Sequence, residues 1–294
     1  MIKKSISNRL NVVRAACLKT NRSFELCRDG SRFMVINKKI DSEALRSCLT
    51  DPDTLMDTGT LVKNSRTTKA VLTQLEDGTK VFIKRYNNKG FKYSLKYMLR
   101  KARAFRAWKS AWSLEVCGVP TPKNYAAVSF RHLGKLNSAF LITEMLENTV
   151  DILDFYKTIQ NNKKLRLEFI DDVVRMISIL HENGIRHGDL KLSNIFIQKW
   201  SETNYSFGLW DLDGTQYFQE GLNDVKRRSE LARVIASYIE MGMRIDIKVN
   251  RSEIEGLFLN AYARYTMVGL NGKTIIDLIE KFVTKSHKRI ITNK

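Results

Sequence analysis

The amino-acid sequence predicts an α+β protein of two lobes, β-rich in front and helical behind, with its active site in the cleft between them. Three observations carry that prediction. Two alternating runs, Ala70–Leu75 (AVLTQL) and Lys80–Tyr86 (KVFIKRY), flank an Asp77-Gly78 turn, the pattern of a β-hairpin. Later the apolar residues Leu167, Ile170, Val174, Ile177 and Leu180 recur at helical spacing. Between that helix and a short apolar strand lies a polar segment, His187–Asn194 (HGDLKLSN), with one Asp, one Lys and one Asn at set offsets.

The elements follow in order. Residues 1–50 mix charged and apolar positions and yield one strand, Ser31–Asn37 (SRFMVIN). After the hairpin, Tyr93–Cys117 is helical in pattern and is stopped by Gly118 and Pro120. Ala139–Glu144 (AFLITE) reads as a strand. The helix over Leu165–Glu182 ends at Asn183-Gly184, a pair suited to a helix C-cap. Two strands, Ile195–Gln198 and Ser206–Trp210, precede helical patterns near Asp224–Met241, Ser252–Tyr265 and Thr274–Lys288. The tail Lys285–Lys294 reads as a frayed polar end. On this reading the N-terminal lobe spans 1–144 and the C-terminal lobe 145–294.

The chain has 294 residues, 43% of them hydrophobic and 28% charged, a composition that can bury a core and excludes a disordered or coiled-coil chain. Fifty Lys and Arg against 31 Asp and Glu give a formal charge of +19. That excess speaks to partners: nucleic acid, an anionic membrane surface or a phosphorylated substrate. The four cysteines, Cys17, Cys27, Cys48 and Cys117, show neither C-x-x-C nor zinc spacing and fit a reducing cytoplasm. No helix-turn-helix, zinc-finger or RNP signature supports nucleic-acid binding. No run reaches the roughly 20 apolar residues that span a bilayer.

The chemistry sits in the polar segment. A protein-kinase catalytic loop reads H-R-D-L-x-x-x-N. Asp189, Leu190 and Asn194 fall in that register, and Gly188 stands where the Arg would be. Phosphoryl transfer needs a carboxylate to take the acceptor hydroxyl's proton and an oxygen ligand nearby for Mg²⁺. Asp189 is thus the candidate catalytic residue, Lys191 the cation for the transferring phosphoryl group, and Asn194 a metal ligand, in a catalytic loop over 187–194. Seventeen residues after Asn194 comes Asp211, in Trp210–Gly214 (WDLDG), with a metal-binding turn over 211–214. Asp211 is the first choice of Mg²⁺ ligand and Asp213 its close rival, since Mg²⁺ takes one or two carboxylates beside phosphate oxygens. Lys84 in VFIKRY matches the V-A-I-K lysine that holds ATP phosphates. Backbone groups of Glu144–Leu146 are placed to meet adenine.

Two kinase parts depart from the pattern. Only Gly59 stands before Ala70 where a glycine-rich loop is expected, which leaves Asn64, Ser65 and their neighbours to Thr67 to cradle the phosphates. No Asp or Glu lies between Asp77 and Glu115, and Ala107 occupies the middle of the helix, so Lys84 lacks its usual Glu partner. A non-catalytic pseudokinase is the alternative these gaps allow; the retained Asp189, Asn194 and Asp211 argue against it.

The blocks VFIKRYN, KARAFRAWKSAWSLEVCGVPTPKNYAA, LITEML, IRHGDLKLSNIFI and LWDLDGTQ, in this order over residues 58 to 240, resemble the lipopolysaccharide kinase family of the Kdo/WaaP type. The R-x-W helix followed by G-V-P-T-P is the most specific of them. The resemblance implies a protein-kinase-like fold and ATP- and Mg²⁺-dependent phosphorylation of a lipopolysaccharide inner-core sugar, heptose or Kdo. It implies Lys84 as nucleotide lysine, Asp189 as catalytic Asp, and Asn194 and Asp211 as metal ligands. Some relatives carry Glu where Ala107 stands. The Gly188 replacement and the lack of an A-P-E segment favour a glycolipid acceptor over a protein. An atypical, RIO-like protein kinase and a lipopolysaccharide- or membrane-binding pseudokinase are the rival readings.

A basic helix over 89–117 adds to this. Between Gly78 and Leu114 there are eleven Lys and Arg and no acid. Lys89, Lys92, Lys96, Arg100 and Arg103 fall on one stripe, Phe91, Leu95, Met98, Ala102 and Phe105 on another, with Tyr86, Tyr93, Tyr97, Trp108 and Trp112 interleaved. Such a helix suits anionic headgroups. A solvated charged face with aromatics in the core fits the pattern equally. The expected setting is cytoplasmic, peripheral on the inner face of a Gram-negative bacterium's cytoplasmic membrane, with the inner-core glycolipid as partner.

Overall fold

The computed structural model describes residues 2–87, 101–199, 201, 204–266 and 272–292. The chain divides into two compact units: residues 1–147 with Asp211–Asp213, and residues 148–210 with 214–294.

The first unit is built on a seven-stranded antiparallel sheet. Helix α1 (Ile2–Ala16) precedes β1 (Phe24–Asp29) and β2 (Arg32–Asn37). Two short helices follow, α2 (Glu43–Cys48) and α3 (Pro52–Asp57). Ser42 and Asp51 cap them, each side chain accepting an orphan amide of the first turn, and Pro52 occupies a position that needs no donor. Then come β3 (Thr60–Ser65), β4 (Thr68–Gln74), β5 (Lys80–Asn87), α4 (Arg103–Val116), β6 (Asn124–His132) and β7 (Lys135–Glu144). The strand order is β1-β2-β6-β7-β5-β4-β3. Gly78 takes φ +81° in the β4–β5 turn, as the Asp-Gly pair requires.

Period-two alternation gives the sheet two buried faces. On one, Tyr86, Phe105, Trp108 and Leu141 form a core with Cys17 and Leu18 just beyond α1. On the other, Val81, Ile83, Phe140 and Ile142 pack with Leu45, Leu49 and Met56 of the α2–α3 region. Lys84 shares the Tyr86 face, and the ladder sets it opposite Ala70 and Leu141.

The helix expected over Tyr93–Cys117 is corrected at its start. Lys101 and Ala102 are not helical, and α4 begins at Arg103, with Ala102 extended at φ −59°, ψ 160°. Lys89, Lys92, Lys96 and Arg100, with Phe91, Tyr93, Leu95, Tyr97 and Met98, lie outside the described residues. Tyr86, Phe105 and Trp108 are core side chains, and Trp112 packs against them.

The second unit is mostly helical. It contains β8 (Thr149–Val150), α5 (Ile152–Asn161), α6 (Lys163–Glu182), β9 (Ile185–Arg186), β10 (Ile195–Lys199), β11 (Tyr205–Leu209) and β12 (Gln216–Tyr217). These are followed by α7 (Asp224–Arg244), α8 (Arg251–Tyr265) and α9 (Gly272–Thr292). Asn162, Asn223 and Asn250 cap α6, α7 and α8 through their side-chain oxygens. Gly184 ends α6 at φ +70°, where an added Cβ would stand 2.1 Å from the Phe218 carbonyl oxygen. The tail is helical to Thr292 rather than frayed, as the continuation of α9, whose Ile275, Ile279 and Val283 are buried. The second of the two expected strands ends at Leu209, one residue before Trp210.

Candidate active site

In the first unit, β5 carries Lys84 into a largely buried position where its ammonium pairs with Asp211. Asp211 has φ +61°, a conformation that costs a non-glycine residue energy and is held only where surroundings demand it. Burial pushes the Asp211 carboxyl up, but the charge and hydrogen bond of Lys84 outweigh this and leave it at about 2. Asp213 is buried and ion-paired to Arg103 at the start of α4, with Arg103 Nε donating to Oδ2 at 2.8 Å. Lys84 Nζ and Arg103 Cζ lie 5.2 and 5.0 Å from the ring centre of Tyr86, an aromatic floor shared by both cations. Glu115 is exposed at the far end of α4 and Ala107 is core, so Lys84 takes its carboxylate from the acidic turn rather than from the helix.

Asn64 and Ser65 end β3, paired with Lys69 and Thr68. The expected phosphate loop is thus a tight turn of Arg66 and Thr67. The Ser65 hydroxyl accepts the Thr68 amide at 3.2 Å, and Asn87 Nδ2 donates to the Ser65 carbonyl at 3.1 Å. Side chains close this turn in place of glycines. Glu144 ends β7, where its amide donates to Lys123 O at 2.9 Å and its Oε1 accepts the Lys123 amide at 2.8 Å. The Met145 amide reaches Lys80 O at 3.4 Å. Leu146 follows at the end of the unit. Met145 also borders a recess of about 500 Å³ with Gly59, Leu72 and Lys80.

In the second unit, the loop between β9 and β10 carries Asp189, Lys191 and Asn194. Its conformation is imposed by Glu230 of α7, which is 2% exposed. The Glu230 carboxylate accepts the backbone amides of Gly188 at 2.7 Å and His187 at 3.0 Å, and lies 3.2 Å from His181 Nε2. Burial alone would raise the Glu230 carboxyl; these hydrogen bonds and the neighbouring histidines bring it below the ordinary range. The Tyr262 hydroxyl meets His181 Nδ1 at 2.8 Å, so the relay runs through the helical core. Gly188 sits at φ +85°, and a Cβ there would stand 2.5 Å from Gly214 O. Glycine at this position is a steric requirement of the loop as well as the loss of an arginine.

Asp189 is 47% exposed at its side chain, with Oδ1 accepting from Arg233 Nη1 at 2.8 Å and Oδ2 3.5 Å from Lys191 Nζ. Asn194 Nδ2 donates to Asp189 O at 2.8 Å, which directs its amide oxygen to other partners. His187 is buried, with Nε2 3.1 Å from Trp210 O. The indole of Trp210 donates to Ser193 O at 2.9 Å and its amide to Asn194 O at 3.2 Å, tying the end of β11 to the loop. Glu230 and Arg233 are not among the candidates the sequence offers, and Arg103, which its spacing places on a basic stripe, is instead largely buried and ion-paired to Asp213. A glutamate in the apolar run of α7 was the one available signal.

A loop of Asp, Lys and Asn anchored on a buried glutamate, and a strand lysine paired with an acidic turn, define the class as protein-kinase-like. The particular family follows from comparison: the profile of the Lipopolysaccharide kinase (Kdo/WaaP) family matches residues 57–257, and the chain belongs to that family. Among solved structures, WaaP in complex with acyl carrier protein is similar with a TM-score of 0.60, at 19% identity over 84% of this chain and 98% of that one, a likeness of fold. A probable serine/threonine-protein kinase of fowlpox virus is 29% identical over 90 residues, 31% of this chain and 29% of that protein. The chain therefore matches less than a third of that curated relative's length.

Proposed function

We propose that the protein is an ATP-dependent kinase that phosphorylates a sugar hydroxyl, on heptose or Kdo, of the lipopolysaccharide inner core. The observation that carries this reading is the catalytic loop, which presents Asp189 on a network anchored by Glu230 in a chain of the Kdo/WaaP family. Asp189 accepts the proton of the sugar hydroxyl as it attacks the γ-phosphate in line, and Arg233 and Lys191 orient that carboxylate. Lys191 then faces the negative charge of the transferring group. Lys84 holds the α- and β-phosphates. The turn containing Asn64 and Ser65 covers them, and backbone groups of Glu144 and Leu146 receive adenine beside the recess at Met145.

The side chains suit Mg²⁺, a hard cation that takes oxygen ligands. Asp211 and Asn194 would hold it, each presenting an oxygen, while Asp213 is committed to Arg103 and supports the turn. Bound there, the ion neutralises charge on the phosphates. The acceptor, a membrane glycolipid, sets the expected location: cytoplasmic, peripheral on the inner membrane of a Gram-negative cell. Among the described residues no helix is long and apolar enough to cross a membrane. The acyl carrier protein in the WaaP complex is a partner to test by co-purification.

The test is transfer of labelled γ-phosphate from ATP and Mg²⁺ to inner-core acceptors ending in Kdo or in heptose. Label on one glycolipid supports the proposal and names the sugar. A protein acceptor is the second reading, favoured by the similarity to the viral kinase, and label confined to protein would establish it.

A further inference from the structure

Apart from the site just described, the first unit contains a second recess of about 620 Å³. It lies where the β1–β2 and β6–β7 turns meet the N-terminus of α4. Arg28, Arg32, Lys101 and Arg131 line it together with Phe33 and Leu133, and no acidic side chain is among its lining residues. Arg28 stacks on the Phe33 ring at 5.1 Å, and Arg32 pairs with Asp29 in the β1–β2 turn at 2.7 Å. Arg131 Nη1 donates to Gly134 O at 3.0 Å, which shapes the other turn. Ala102, the N-cap of α4, also lines the recess, so the positive end of that helix adds to the four side-chain charges. At its rim Leu133 is 85% exposed and held at φ +48°, a conformation a leucine adopts at a cost.

We infer that this basic recess, with Leu133 at its rim, is a docking site for the phosphate headgroups of an anionic phospholipid bilayer. Charge complementarity identifies the occupant: a recess lined by four cations and no acid attracts phosphate, and an exposed leucine on a turn beside it can enter the apolar layer below the headgroups. A soluble phosphate compound would use the cations but gives Leu133 no role. This surface would bring the enzyme to the layer in which a glycolipid acceptor lies.

The experiment is co-sedimentation of the full chain with phosphatidylglycerol–phosphatidylcholine vesicles and with pure phosphatidylcholine, without ATP or acceptor. Its outcome is therefore independent of the kinase reading. Wild type should bind the anionic vesicles only, and salt should release it. Arg28→Ala and Lys101→Ala should each lower the partition coefficient about fivefold. Leu133→Asp, which keeps a residue tolerant of positive φ, should lower it about tenfold or more. Leu133→Asn should do the same if the aspartate variant fails to fold. Arg175→Ala removes an exposed charge of the second unit and should leave binding unchanged. Absence of binding, or an equal loss in Arg175→Ala, would overturn the inference. Release by inorganic phosphate beyond that by chloride at equal ionic strength would also overturn it, in favour of a soluble phosphate ligand.

Discussion

Replacing Glu230 by alanine should loosen the catalytic loop more than any other change outside it. The wild-type carboxylate accepts two backbone amides, Gly188 at 2.7 Å and His187 at 3.0 Å, and meets the buried His181. Truncation leaves both amides without an acceptor, the His187 amide in a buried position and the Gly188 amide in a partly buried one. Each orphaned donor costs about 1–3 kcal/mol, so roughly 2–6 kcal/mol of stability should go, before the smaller loss from His181. Glu230→Gln keeps one acceptor oxygen and should lose about half as much. Urea unfolding measures the total, and amide hydrogen exchange locates it. The Gly188 and His187 amides should exchange by local opening in the alanine variant and only with global unfolding in wild type. Turnover should fall about a hundredfold or more, because a displaced Asp189 no longer meets its proton acceptor geometry. Unchanged protection at Gly188, with stability within about 0.5 kcal/mol of wild type, would refute the reasoning.

Other consequences follow from the same contacts. Gly188→Ala should cost about 2–4 kcal/mol, as its Cβ would meet Gly214 O, whereas Gly78→Ala at φ +81° has open space and should cost only about 1–2 kcal/mol; urea midpoints compare them. Lys84→Met should weaken binding of ATP with Mg²⁺ by about tenfold to a hundredfold, measured by calorimetry, since it removes a charge-assisted contact to phosphate. The Glu230 carboxyl is held below its ordinary value, so its stabilisation is complete above about pH 4.3 and is lost as pH falls through the lowered value. Glu230→Gln should therefore flatten the acid limb of a stability–pH curve. Burial pushes the thiols of Cys48 and Cys117 up to about 12 and about 11, so at pH 8 iodoacetamide should label Cys117 about a hundredfold and Cys48 about a thousandfold more slowly than a free thiol, read by peptide mass spectrometry.

What could be read from the chain is what local chemistry dictates. The hairpin around Gly78, β7, and the helices α6 to α8 carry strong periodicity and clear stop signals, and each lies within a few residues of its expected place. β6 went unread because Asn124–His132 (NYAAVSFRH) is buried along most of its length, which erases alternation. α1 went unread because charges interrupt its apolar face, with Leu10 its one fully buried side chain among those described. The two-residue strands β8, β9 and β12 exist only through their partners. Asp189, Asn194, Lys84 and the WDLDG turn stand out as candidates because a phosphoryl-transfer motif restricts residue type and spacing, and of these the structure pairs Lys84 with Asp211. The contacts that support them do not stand out: Arg103 reaches Asp213 across 110 residues, and Arg233 reaches Asp189 across 44. Pairings of that range are set by the fold, and no spacing rule encodes them. The helix expected over Tyr93–Cys117 is interrupted at Lys101 and Ala102, where the helical recurrence of basic and apolar residues gives no sign of a break.

On the function proposed above, Asp189 serves a phosphoryl transfer from ATP to an inner-core sugar. The most direct measurement is a single-turnover assay of wild type and Asp189→Ala with labelled ATP, Mg²⁺ and the inner-core glycolipid, with nucleotide binding measured on the same samples. Label should appear on the sugar in wild type, and in the variant fall about a thousandfold or more with nucleotide affinity retained. Equal transfer by both proteins, or transfer by neither with intact nucleotide binding, would contradict it.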